Sequence, residues 1–251
     1  PREENYTVTV PYKPLGSYVP VDPDGNPIGP KTPIENDPSD PTKPSKDPYD
    51  KPTIPGYDKP SQDFTPDPEN PGKDIPVPYT PSIVPVDPND PKEPGTPIDP
   101  NNPDGPKWPD TKLYKDTSEL TVHYVDENGN KVAEDKKTSV DVHRKLYINA
   151  VTGEFWSTAD YSTGKAMTDA EVAAVPWVAD QADYSAVTTP VVNGYVASTE
   201  TVKSTGATTK ADKQVDGVKV DTDNTDGAFA DEATVVYKPV GSYVPVDPDG
   251  N

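Results

Sequence analysis

Cysteine is absent from this 251-residue chain, histidine occurs twice and methionine once. Without cysteine there is no disulfide staple, no thiolate nucleophile and no thiolate zinc site. His123 and His143 each fall in an alternating, strand-like stretch with no nucleophile in register. There is no histidine pair at metal-ligand spacing and no glycine-rich phosphate loop. Paired carboxylates are abundant, but solvated acids need no catalytic explanation in a chain this acidic. These absences argue against an enzyme. Positive charge is also scarce, with 23 Lys and Arg against 43 Asp and Glu and a net charge of −20. Such a surface repels phosphate backbones and anionic lipid, which excludes nucleic acid and membrane surfaces as partners. No apolar run reaches membrane-spanning length. Hydrophobic residues make up 31%, against a usual 45–50% or about that. The chain does not fill its length with core.

What it has instead is proline, unevenly placed. Thirty of the 35 prolines lie at or before Asp110. The stretch Tyr12-Lys-Pro-Leu-Gly-Ser-Tyr-Val-Pro-Val-Asp-Pro-Asp-Gly-Asn26 returns as Tyr237-Lys-Pro-Val-Gly-Ser-Tyr-Val-Pro-Val-Asp-Pro-Asp-Gly-Asn251, with only Leu15 replaced by Val240. Near-identity at an offset of 225 residues marks a tandem array. A fainter copy, Tyr79-Thr-Pro-Ser-Ile-Val-Pro-Val-Asp-Pro-Asn89, divides the period. Residues 1–12 therefore read as the last strand of a preceding repeat, and 241–251 as the start of the next spacer.

Residues 13–110 read as a Pro-rich spacer. Each proline fixes φ, removes an N–H donor and pushes its predecessor out of the helical region. The expected state is an extended, polyproline-II-like rod with Asp-Pro turns, stiff at ~3.1 Å per residue. Within it, Pro52-Thr-Ile-Pro-Gly56-Tyr57 and Asp74-Ile-Pro-Val-Pro-Tyr79-Thr-Pro81 echo Pro190-Val-Val-Asn-Gly194-Tyr195 and Glu232-Ala-Thr-Val-Val-Tyr237-Lys-Pro239. Residues 50–81 are then either a shrunken β patch anchored by Ile54, Tyr57, Phe64, Ile75, Val77 and Tyr79, or an unfolded linker of chance similarity.

Residues 111–240 read as a β-rich module. Leu120, Val122 and Tyr124 alternate on one face, and Asn128-Gly129 favours a type I′ hairpin turn. Val140, Val142 and Leu146 continue the alternation. A second turn over Asn149–Glu154 precedes Phe155-Trp156. One short helix is expected, because Thr168-Asp-Ala-Glu171 fits a capping box and Pro176 stops it. Further strands are expected over 183–189, 195–202 and 231–238, with a polar loop over 204–230. The fold class is mainly β, α+β with one short helix, attached to the extended spacer.

Two kinds of site present themselves. Trp156, Tyr161, Trp177 and Tyr184 are the candidates for glycan contact, because sugar C–H faces stack on aromatic rings. Their bland alternative is core packing. Asp221, Asp223 and Asp226 form an oxygen-rich loop of the kind calcium takes, although they miss the EF-hand register. Asp22–Asn26 and Asp126–Asn130 are similar in composition but have turn explanations.

Leu120-Thr-Val-His-Tyr-Val-Asp-Glu-Asn-Gly-Asn130 resembles the opening strand and turn of mucin-binding (MucBP-type) repeats in lactobacillar surface adhesins. Val142-His-Arg144, Asn149–Glu154, Trp177, Tyr184–Tyr195 and the exit Thr234–Tyr243 follow the order of the larger mucus-binding module. The stretch Glu154–Trp177 is longer than the family pattern. The resemblance implies a β-grasp-like module on an extracellular adhesin anchored to a Gram-positive cell wall. It further implies host mucin glycoproteins as partners, with immunoglobulins as a second class. The chain is expected to be monomeric, with neighbouring repeats of the same chain beside it. Absence of disulfides suits that location. A purely structural stalk that projects a distal domain shares the same composition and stands as the alternative.

Overall fold

Proline deletes ladder donors, so strands in the first half of the chain are only two to five residues long. The computed structural model describes residues 3–203, 220–224 and 229–251. The early strands are β1 (Ser17–Val21), β2 (Thr32–Pro33), β3 (Tyr57–Asp58), β4 (Ile75–Pro78), β5 (Thr80–Pro81) and β6 (Ile83–Val86). Two long strands follow, β7 (Lys115–Asp126) and β8 (Lys131–His143), then β9 (Leu146–Asn149) and β10 (Phe155–Trp156). Beyond the helix α1 (Asp169–Ala173) come β11 (Val178–Ala179), β12 (Val187–Thr188), β13 (Tyr195–Ala197), β14 (Thr201–Val202) and β15 (Ala230–Pro239). Among the described residues the chain is mainly β with one short α-helix.

The chain divides into two units. Unit 1 takes residues up to Pro85, Gly95–Trp108 and Tyr147–Thr168. Unit 2 takes Val86–Pro94, Pro109–Leu146 and Asp169 onward.

Unit 1 corrects the expectation of an extended spacer. Its sheets are β2-β1-β4, β10-β9-β6 and the pair β3-β5. Tyr18, Ile34, Tyr49 and Val77 form a buried cluster, with Leu15, Phe64 and Ile75 packed against it. The reason is that apolar residues recur between the prolines closely enough to share one core. Each fully buried Val or Ile contributes about 1.5–3 kcal/mol. Tyr18 and Tyr49 stack at 4.4 Å. Proline does not prevent this, because each strand is short and many of the bonds run between turns. Examples are Tyr49 N–H to Phe64 O and Ile34 N–H to Gly16 O. Of the six anchors expected over 50–81, Val77 and Tyr79 are buried, Phe64 and Ile75 pack on the core, and Ile54 and Tyr57 are half-buried.

Unit 2 is built on the sheet β11-β8-β7-β15-β13. Leu120, Val122 and Tyr124 point inward on β7, as the alternation requires, and meet Val140 and Val142 of β8 and Ala233, Val235 and Tyr237 of β15. β7 and β15 run parallel, with Tyr124 opposite Val235. The β7–β8 turn differs from the expected type I′ form. Gly129 N–H bonds Asp126 O, Gly129 takes positive φ (82°), and the Asp126 carboxylate accepts the N–H groups of Asn128 and Asn130. The aspartate favours a turn one residue longer, closed by glycine in the left-handed region.

The two units repeat one plan. In unit 1, β1 and β4 are parallel with Val21 opposite Pro78. In unit 2, β7 and β15 are parallel with Val125 opposite Val236. Tyr57 lies opposite Pro81 as Tyr195 lies opposite Pro239. The Asp22–Asn26 turn repeats the Asp126–Asn130 bonds one for one.

The repeated ends behave differently from their internal counterparts. Tyr12 is 85% exposed, whereas Tyr237, the same residue one period later, is 1% exposed. Tyr243 is fully exposed, whereas Tyr18 is buried in β1. The Asp247–Asn251 turn nevertheless has the same internal bonds as Asp22–Asn26. The motif folds locally, without a core beneath it.

Candidate functional site

The hairpin β9–β10 turns at Asn149–Glu154, where Gly153 has φ 77° and the buried Asn149 side chain accepts from Val151 and Thr152 N–H. That hairpin presents Trp156 to unit 1. Trp156 and Tyr161 stack with centroids 5.1 Å apart and planes 12° from parallel. The indole N–H donates to Tyr161 O at 3.4 Å. Gly164 packs on the Cδ1–Nε1 edge of the indole so closely that a Cβ there would sit 2.7 Å from Cδ1. The aromatic pair is therefore held in place, yet both side chains are only half-buried.

These rings border a cleft of about 260 Å³ within unit 1. Its other walls are Tyr57 and Pro81 of β3 and β5, and the Asp22-Pro23-Asp24 turn that ends β1. Asn149, Thr152 and Glu154 of the β9–β10 turn complete it. Burial pushes the Tyr57 hydroxyl above its ordinary pKa, and the nearby Asp22 charge and Tyr161 hydroxyl push the same way. Asp22 itself lies below the usual carboxylate range, chiefly because Asn26 N–H donates to it. The cleft thus joins flat apolar faces to hydrogen-bonding groups, and among the described residues no lysine or arginine lines it.

The structure separates the four aromatic candidates into two pairs. Trp156 and Tyr161 meet in the cleft of unit 1. Trp177 and Tyr184 lie in unit 2, where Tyr184 is part of the buried core and Trp177, half-buried like Trp156, packs against it. Trp177 packs edge-on to Phe229 at 4.9 Å, and the Arg144 guanidinium sits 4.5 Å from its centroid. Arg144 is buried, and burial lowers its pKa. Its Nε donates to Leu113 O and its Nη1 to Val172 O and Val175 O, which caps the end of α1. Tyr184 is buried with its hydroxyl bonded to Asp231 and Ser118. Burial, reinforced by Asp231, raises that hydroxyl's pKa strongly.

The acidic loop considered for calcium has a structural use for its first member. The Asp221 carboxylate accepts from Ala230 N–H at 3.1 Å and from Asp223 N–H at 2.9 Å. Asp226 lies outside the described residues. Among the described residues no group of three or more His, Cys, Asp or Glu side chains could hold a metal ion. The histidines pair with acids on the surface: His143 with Asp180 at 2.6 Å, and His123 with Asp135 at 3.1 Å.

Sequence reasoning missed Asp22, Asp24, Asn149 and Glu154 as partners of Trp156. Only the echo of Gly194-Tyr195 in Gly56-Tyr57 hinted that the Pro-rich half folds and could supply walls to a site.

Residues 109–226 match the family model of the Muc B2-like domain. No curated protein matches the chain. Among solved structures, the type 2 repeat of the mucus binding protein MUB from Lactobacillus reuteri aligns at 21% identity over 91% of this chain and 100% of its own, with a TM-score of 0.40. The MucBP domain of an adhesion protein from Pediococcus pentosaceus aligns at 30% identity over 49% of this chain and 98% of its own, with a TM-score of 0.32. The mucin-binding domain of Spr1345 from Streptococcus pneumoniae aligns at 20% identity over 51% and 94%, with a TM-score of 0.30. Over residues 109–226 the chain belongs to the Muc B2-like domain family of mucin-binding repeats.

Proposed function

We propose that the chain is an adhesive repeat of an extracellular, cell-wall-anchored protein of a Gram-positive bacterium, and that it attaches to host mucus glycoproteins. One observation carries this reading. In a chain with a Muc B2-like domain, the stacked Trp156–Tyr161 pair is held rigid yet left half-exposed over a polar-lined cleft. An aromatic that served only the core would be covered, as Tyr184 is. Immunoglobulins are the second partner class the resemblance implies. Each site binds weakly, and repetition along the chain supplies avidity without new contacts.

The repeated ends support the array. Ser242–Val246 carries the residues of β1, and Tyr6–Val10 occupies the place of the Asp231–Val235 segment of β15 one period earlier. In an array, only Val240 and Gly241 separate the end of one β15 from the next β1. Gly16, the internal equivalent of Gly241, admits no Cβ, which would lie 2.4 Å from Lys73 O. A two-residue joint limits hinge motion and favours a stiff string, which also suits the stalk reading.

The test is binding of the 251-residue chain, displayed multivalently, to immobilised mucin before and after O-glycan removal. Loss of binding on deglycosylation supports adhesion. Absence of binding to either surface supports the stalk.

A further inference from the structure

We propose that the Trp156–Tyr161–Tyr57 cleft binds one or two rings of a neutral saccharide and turns away sialylated and sulfated ones. This rests on the adhesive reading above and names the ligand of its site. Four features of the cleft carry it.

The first is size. At about 260 Å³ the cleft lies just below the ~300–1,000 Å³ that encloses drug-sized ligands. It suits a glycan terminus better than a long oligosaccharide. The second is shape. The Trp156–Tyr161 stack and Tyr57 offer flat apolar faces, and the stack is fixed before a ligand arrives, so little ordering entropy is lost on binding. The third is polar chemistry. The Asp24 and Glu154 carboxylates and the Thr152 hydroxyl border those faces and can accept hydrogen bonds from sugar hydroxyls. The fourth is charge. Asp22, Asp24 and Glu154 line the cleft with no basic residue opposite, so a ligand carboxylate or sulfate would meet like charge at short range. The −20 net charge adds long-range repulsion of the same sign.

The site also has two sources in the chain. Asp22, Asp24 and Tyr57 come from the Pro-rich half, and Glu154, Trp156 and Tyr161 from the stretch beyond β9. Neither supplies the cleft alone. The Pro-rich half is thus part of the binding surface.

The experiment titrates the 251-residue chain with N-acetylglucosamine, methyl β-galactoside and N-acetyllactosamine, and with sialylated and 6-sulfated N-acetyllactosamine. Tryptophan fluorescence and protein NMR report binding. The proposal expects saturable binding of at least one neutral sugar and weaker binding of both anionic forms. Trp156→Ala should weaken the neutral sugar by about tenfold or more, and Trp156→Phe by less, with both variants checked for a native NMR spectrum. Asp24→Asn with Glu154→Gln leaves the rings untouched and should narrow the gap between neutral and anionic sugars. Preference for the anionic forms, or neutral binding unchanged in Trp156→Ala, overturns the proposal. So does the lack of binding by any neutral sugar. If mucin binding persists under those results, the adhesive reading survives and only this site is lost.

Discussion

Tyr79 and Tyr237 are the same residue in two copies of one plan. Tyr79 directly follows the parallel pairing of β1 with β4, Tyr237 is the last paired residue of β15 on β7, and each donates its hydroxyl to a proline carbonyl: Pro52 O at 2.7 Å and Pro190 O at 2.5 Å. Both rings are buried at about 1% exposure. In each unit this bond ties the closing strand to the segment just before the Gly-Tyr corner, at Gly56-Tyr57 and Gly194-Tyr195.

The first prediction follows from that equivalence. Tyr79→Phe and Tyr237→Phe should each cost about 1 kcal/mol, since a part-buried carbonyl loses its donor while the ring stays. The measurement is urea denaturation followed separately in each unit. A large loss at Tyr237 with none at Tyr79 would mean that unit 1 is not a working copy of the plan.

Arg144 supports the second. Its guanidinium caps α1, bonds Leu113 O and covers Trp177, so Arg144→Met should destabilise unit 2 by about 2–4 kcal/mol. Arg144→Lys should recover little, because an ammonium cannot span the same carbonyls. Thermal unfolding monitored by near-UV dichroism of Trp177 would show both.

The third concerns acid. Asn130 N–H, followed by Asn128 N–H, holds the Asp126 carboxyl below its usual range. A depressed folded-state value means the stabilisation is complete above the unfolded value of about 3.9 and is lost as pH falls through the folded one. Asp126→Ala should therefore melt lower than the wild type at pH 7, and the gap should close below about pH 4. A gap constant down to pH 2 would place the effect elsewhere than the carboxylate.

Much of unit 2 is legible in the sequence. The alternation of Leu120, Val122 and Tyr124 marks β7, the Thr168–Glu171 box and Pro176 bracket α1, and Asn149–Gly153 marks its turn. These are local signals, read within one strand or one helical turn. The β7–β8 turn was misjudged because Asp126, two residues before the Asn-Gly pair, changes which turn is favoured. Unit 1 was harder to read because its proline content is that of an unfolded linker. Its core depends on contacts far apart in sequence, such as Tyr18 on Tyr49 and Val21 beside Pro78. Only the echo over 50–81 hinted at a fold there, and it left an unfolded linker equally open. The cleft was half-legible: Trp156 and Tyr161 were identifiable as candidates, but nothing local joins them to Asp22 or Tyr57. Tyr184 is set apart only by its burial, and Trp177, half-buried like Trp156, only by its packing on Phe229 and the core of unit 2.

A fourth prediction concerns where the chain can be cut. Residues 147–168 belong to unit 1 although they lie inside the family match. A protein starting at Pro109 would leave β9 without β6 and Ala150 N–H without Ser82 O. Limited proteolysis should cleave it within 150–168 at a protease level the intact chain withstands. Equal resistance would show that this stretch folds without the Pro-rich half.

The most direct test of the account is amide hydrogen exchange across residues 13–85 of the intact chain. The folded unit bonds Tyr79 N–H to Val21 O, Ile34 N–H to Gly16 O and Ser82 N–H to Gly56 O. Those three amides should exchange at least ~100-fold more slowly than in an unfolded chain. Exchange at unfolded-chain rates would return these residues to an extended spacer, and the cleft built on them would not exist.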